Sequence, residues 1–381
     1  MRLFRFELGK LLRLPMLWCF LALSLALNGA LLMTGSHDAP WYRYVASVLP
    51  VTGQRTNAPA FPVGLDMLPA DSFRERLREQ TATPQNTLSG LDTAALGKMQ
   101  AGYLGVTGRW ADIFAQKYDK LQPVVDEAAA SGAPYDVYAG EATYDFQVHL
   151  TGIMYHAVLT EALLLAVLLT LCTLGCEEQN YTSLIVYATR TGRVVNTPKL
   201  AAAVFASLLC YLVLSVLTLV PFAWMFRLRD YLSMNVSSSF NYILVGTVRV
   251  PFLTWRSFTL AGYLGATFVL GAVLVCVFVL CAAVCGLVMR NTYTAFLLWF
   301  VASVGSLALP VFCGDAGLWG GYFLGLCLPV PVWRVQREWF TVLGGASFLP
   351  WHETVCTLGD LAVFAVLAFL AERRFRRKDM V

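Results

Sequence analysis

Charge is scarce in this chain: only 14% of its 381 residues are Asp, Glu, Lys or Arg, against about 25% in a soluble globular protein. The deficit is concentrated in long apolar runs, which excludes a water-soluble globular fold and marks an integral membrane protein. The net charge of +4 is modest, so nucleic acid is not an expected partner. Chemistry-bearing motifs are missing too. Gly9-Lys10 and Gly97-Lys98 lack the upstream glycine and the following hydroxyl of a phosphate loop. The chain therefore has no nucleotide site of its own to argue from. H-E-x-x-H, G-x-S-x-G and the Gly-rich dinucleotide turn are also absent. The expectation is a non-enzyme with no cofactor and no metal.

Cysteine is absent from the polar stretch 36–150, so no disulfide framework holds that stretch together. Most of the ten cysteines fall in apolar runs, where a thiol acts as a small hydrophobe. Pairing of Cys313 with Cys327 is left open. Histidine is equally sparse, at four residues; His149 and His156 read as ordinary interfacial side chains rather than ligands.

What the chain does have is apolar length. Six runs reach the 17–25 residues of a spanning helix: 15–34, 154–175, 201–225, 262–288, 293–312 and 354–371. A further stretch, Leu318 to Trp333, is shorter and interrupted by Gly320, Gly321, Gly325, Pro329 and Pro331. It reads as a re-entrant or interfacial segment within 313–353 rather than a seventh span.

Orientation follows from the basic residues beside the spans. Arg2, Arg5, Lys10 and Arg13 precede the first, and Arg190, Arg193 and Lys199 lie between the second and third. Arg290 falls in the turn 289–292, and Arg373, Arg374, Arg376, Arg377 and Lys378 belong to the tail 372–381. All are cytoplasmic if both termini are inside and the spans number six. Arg227, Arg229, Arg249 and Arg256 in the loop 226–261 weaken this bias without reversing it. The expected location is the cell membrane of a bacterium.

Residues 1–14 read as an amphipathic helix at the inner interface, with Arg2, Arg5 and Arg13 on one side and Phe4, Leu8, Leu11 and Leu12 on another. Residues 35–153 lie outside under this topology. Helical patterning appears over 72–80 and 93–130, where Leu96, Met99, Tyr103, Trp110, Ile113, Phe114, Tyr118 and Leu121 fall on one stripe. The plain expectation is a helical external domain packing its own core; the sharper one is a ligand-receiving domain or lid.

Two acids lie inside apolar runs, Glu161 and Asp360. An acid at mid-bilayer costs about 2.5–3.5 kcal/mol on insertion scales, so such residues face protein or water. Solvation near the outer interface is one reading, and a place on a translocation path or proton relay is the other.

The most informative stretch is the connection 176–200, whose Glu178–Lys199 portion reads EQNYTSLIVYATRTGRVVNTPK. Its pattern resembles the loop between the second and third spans in permease subunits of ABC-2-type transporters. There a Glu precedes Gly-Thr, an apolar helical turn, Thr-Pro and an Arg, and a Lys opens the next span. Glu178, Thr182, Thr189, Arg193 and Lys199 match in order and spacing, while Tyr181 replaces the Gly and Arg190 the Pro. Phe4, Phe6, Glu7, Lys10 and Leu11 before Pro15 look like the family's elbow helix.

The resemblance implies an all-α membrane fold of six transmembrane helices with an N-terminal elbow helix. It further implies a permease that exports an amphiphilic substrate while a separate ABC ATPase subunit hydrolyses ATP. Glu178, Thr182, Thr189, Arg190, Arg193 and Lys199 would form the ATPase-coupling loop, and the permease would work as a homodimer or with a related permease. A competing class is a membrane-bound sensor or immunity protein whose external domain binds a peptide without transport.

Overall fold

A computed structural model describes residues 2–182, 185–186, 195–289, 291–342 and 346–377. Among them are six helices long and apolar enough to cross a membrane: Pro15–Thr34, Gly140–Gln179, Asn196–Met225, Leu260–Val288, Thr292–Asp315 and His352–Arg377. They are called the first to sixth spans below.

The helix Arg2–Leu12 precedes them and stops because Pro15 opens a new helix, where its missing N–H is no loss. This first helix packs on the third span: Phe4 and Phe205 meet edge to face, with ring centroids 6.0 Å apart. Its buried Glu7 accepts from Lys10 Nζ at 3.0 Å.

The second span is the axis of the bundle. In its most apolar window 67% of residues are buried, against 22% in the first span and 17% in each of the fifth and sixth. The latter three leave broad apolar faces uncovered. The second span is also longer than the sequence suggests. A π-helical segment, Val148–Tyr155, leads into the α-helix His156–Gln179, so residues assigned to the polar domain are continuous with it. Gly271 on the fourth span permits a close crossing: there Tyr155 and Tyr211 share a hydroxyl–hydroxyl bond of 2.7 Å. Tyr155 Oη also lies 2.9 Å from Thr267 O and Tyr211 Oη 3.0 Å from Phe268 O, so two hydroxyl protons are shared among three contacts that tie three spans together.

Side-chain bonds show which span ends are neighbours. Gln179 reaches Thr292 at 3.2 Å, and Thr197 reaches Glu372 at 2.7 Å. The end of the second span, the starts of the third and fifth, and the end of the sixth therefore share one end of the bundle. At the opposite end Arg43, just beyond the first span, donates to Met225 O where the third span stops.

The domain between the first two spans is built of short helices. The helical patterning over 93–130 resolves into Thr93–Leu104, Arg109–Asp119 and Gln122–Ser131, with Gly105 and Gly108 at positive φ between the first two. Leu96, Phe114, Tyr118 and Leu121 keep the buried stripe, whereas Met99 and Tyr103 are exposed. Among the described residues the fold is all-α apart from one two-stranded sheet. Strands β1 (Tyr242–Val245) and β2 (Val248–Pro251) form an antiparallel hairpin in the loop after the third span, turning at Gly246-Thr247 with Gly246 at positive φ.

Between the fifth and sixth spans the described residues form two short α-helices, Trp319–Leu326 and Pro329–Arg334, and a 3-10 turn, Gln336–Glu338. A helix of eight residues rises about 12 Å, far short of a hydrocarbon core of about 30 Å.

Candidate functional site

The loop between the second and third spans opens with a well-formed helix cap. Thr182 N donates to Glu177 O at 2.8 Å and Tyr181 N to Glu178 O at 3.2 Å. This is the paired bonding of a Schellman motif. The residue at its left-handed position is Tyr181, at φ 57°. Tyrosine thus takes the backbone conformation that glycine fills without steric cost, in a region that costs an ordinary residue about 1–2 kcal/mol. The Thr182 carbonyl then accepts from Ile185 N and Val186 N at 3.1 and 3.0 Å, starting the next turn. Tyr181 is 92% exposed and Ile185 is 74% exposed. Two apolar side chains stand out at a bundle end where a neighbouring helix face is basic.

Glu178 is half-buried at the start of this cap. Lys199 does not point outward. Its side chain is wholly buried and ion-paired with Glu177, a residue the sequence reading passed over. Lys199 therefore anchors the base of the loop. Breaking such a pair by removing one member costs about 3–5 kcal/mol, because the other charge stays buried. Beside it Arg376 donates to Thr197 Oγ1 at 2.9 Å, binding the start of the third span to the end of the sixth. Thr189, Arg190 and Arg193 lie outside the described residues.

The two intramembrane acids have different settings. Glu161 is buried in a polar cluster contributed by three spans: Asn28 Nδ2 donates to Glu161 Oε2 at 2.9 Å and to Thr218 Oγ1 at 3.0 Å. Ser24, one turn before Asn28, is buried as well. The other oxygens, Glu161 Oε1 and Asn28 Oδ1, have no hydrogen-bond partner among the described residues. Asp360 sits half-buried on the sixth span, which packs against the fourth, and its Oδ2 is also unpartnered. No hydrogen bond among the described residues joins the two acids into one network.

At the domain end an open groove of about 980 Å³ runs between the polar domain and the hairpin. Its walls carry Trp41, Arg76, Glu141, Tyr242 and Arg249. The Arg249 guanidinium lies 4.7 Å from the Tyr242 ring centre, and Arg76 lies 5.2 Å from that of Trp41. These are cation–π pairs in which both guanidinium groups are exposed, while the Trp41 ring is buried and Tyr242 half-buried.

Sequence reasoning also missed Lys117, which is fully buried and donates to Ser347 O at 2.8 Å. Phe114, Tyr118 and Trp255 surround its ammonium at 5.6–5.9 Å. Burial lowers its pKa from 10.5 to about 7, opposed by the nearby carboxylates of Glu353 and Glu338. Comparison with family models, curated proteins and solved structures gives no match.

Proposed function

We propose that this chain is the membrane-spanning subunit of an ABC-2-type transporter. It moves an amphiphilic substrate (lipid, peptide or drug) outward while ATP is hydrolysed on a separate subunit. The observation that carries this reading is the cap at residues 177–182, which holds Tyr181 at the positive φ suited to the family's glycine. The same cap presents Tyr181 and Ile185 to solvent as an apolar knob for a soluble partner. The buried Glu177–Lys199 pair makes the knob's base rigid, so a push on the loop is passed to the second and third spans.

In this account the basic end is cytoplasmic and the polar domain external. The uncovered faces of the first, fifth and sixth spans are where a second permease subunit and lipid sit. Glu161 with Asn28 and Thr218 supplies a polar site between spans for substrate or proton passage, and Asp360 supplies a separate one.

The groove favours a second reading, in which the polar domain binds a peptide and the chain signals or protects without transport. Purification of the tagged chain from its native membrane separates the two. A co-purifying nucleotide-binding ATPase supports transport; its absence, together with peptide retention that depends on Arg76 and Arg249, supports the sensor.

A further inference from the structure

A cluster at the domain end lies close to Asp360 and to the buried Lys117. Cys327, His352 and Cys356 place their three donor atoms within 4.8 Å of one another. His352 and Cys356 are four residues apart at the start of the sixth span, and so share one helix face. Cys327 comes from a separate element, immediately after the helix Trp319–Leu326. His352 and Cys356 are buried, and Cys327 is half-buried.

We propose that these three residues form a Zn²⁺ site. One imidazole nitrogen is free to ligate: Nε2 lies 3.1 Å from Leu326 O, which fixes the proton there and leaves Nδ1 with its lone pair, 3.4 Å from Cys356 Sγ, while Nε2 is 4.0 Å from the same sulfur. A histidine ligand whose second nitrogen donates to a backbone carbonyl is the usual arrangement around a metal. Bond lengths of about 2.3 Å to sulfur and 2.0–2.1 Å to nitrogen in a tetrahedron put the donors about 3.5–3.8 Å apart. Donors within 4.8 Å of one another reach that spacing by side-chain rotation, the imidazole turning its Nδ1 lone pair toward the ion. A thiol–imidazole hydrogen bond accounts for His352 and Cys356, and Cys327 Sγ donates to Phe323 O at 3.3 Å; what those bonds leave open is why a third donor from another part of the chain meets the other two. On binding, each thiol gives its proton to solvent and two S–Zn bonds form with no change in oxidation state. Water fills the fourth position. The ion would clip the short helix after the fifth span to the head of the sixth.

The test uses the full-length chain in detergent, kept reduced, stripped with a chelator and dialysed against Zn²⁺ alone. One equivalent is expected to stay bound and to be lost in both Cys356→Ser and His352→Gln. In the wild-type chain Zn²⁺ should shield Cys327 and Cys356 from alkylation, read by mass spectrometry, while exposed Cys19 stays reactive. The shielding measurement stands even if a variant fails to fold. Unchanged alkylation with Zn²⁺ overturns the proposal, as does recovery of Cys327 and Cys356 joined as a disulfide from the native membrane.

Discussion

Lys199 donates to Glu177 in a buried ion pair that closes the mouth of the loop between the second and third spans. The pair joins the last turn of one span to the first turn of the next. A charge taken out of water in this way is tolerated only with its partner present. Removing one member, as in Glu177→Gln or Lys199→Met, is expected to destabilise the folded chain by about 3–5 kcal/mol. Removing both with apolar residues should recover most of the loss. Unfolding midpoints in detergent for the two single variants and the double variant check this; a double variant as unstable as the sum of the singles contradicts it.

Tyr181 makes a different kind of prediction, because its backbone is strained and its side chain is exposed. Tyr181→Gly relieves the positive φ, so stability should hold or rise by about 1 kcal/mol. If the proposed ATPase docks on this cap, its capture should fall, since the aromatic is gone. A variant that is less stable than wild type shows that the cap is not the Schellman form described.

Packing at the Tyr155–Tyr211 node is tight around Gly271, where a Cβ would run into both hydroxyls. Gly271→Ala is expected to cost about 1–3 kcal/mol by overpacking. Gly265 lies on the same span with open space around it, so Gly265→Ala should be near neutral. Equal thermal shifts for the two would remove the argument for a close crossing.

The buried lysine of the polar domain sets a pH dependence. The Lys117 pKa falls to about 7 in the folded chain, from 10.5. Between these values the unfolded chain holds the proton and the folded chain has released it, so stability rises with pH. Stability is fully present above the unfolded value and is lost as pH falls toward 7. Melting midpoints between pH 7 and 9 should therefore climb more steeply for wild type than for Lys117→Met. Parallel curves would contradict the assignment.

The spans were legible in the sequence because membrane helices are dictated by apolar length, which needs no knowledge of tertiary contacts. The interrupted stretch 318–333 was legible for the complementary reason, since glycine and proline shorten its helices. The hairpin was readable but overlooked: Tyr242–Val245 and Val248–Pro251 flank a two-residue Gly-Thr turn, a strong short-range signal. Asn28, a lone amide in an apolar run, hinted at the Glu161 cluster. By contrast, the burial of Lys199 and Lys117 is decided by neighbours distant in sequence, Glu177 and Ser347. The meeting of Cys327 with His352 likewise depends on where the sixth span begins. No local pattern carries that information.

The most direct test of the coupling claim is photo-crosslinking from Ile185, the exposed residue that follows the Tyr181 cap. A photoreactive amino acid there, activated in native membranes, should join the chain to a nucleotide-binding ATPase, and Tyr181→Gly should weaken the adduct. Crosslinks from Ile185 to lipid alone, with none to an ATPase, would contradict the account.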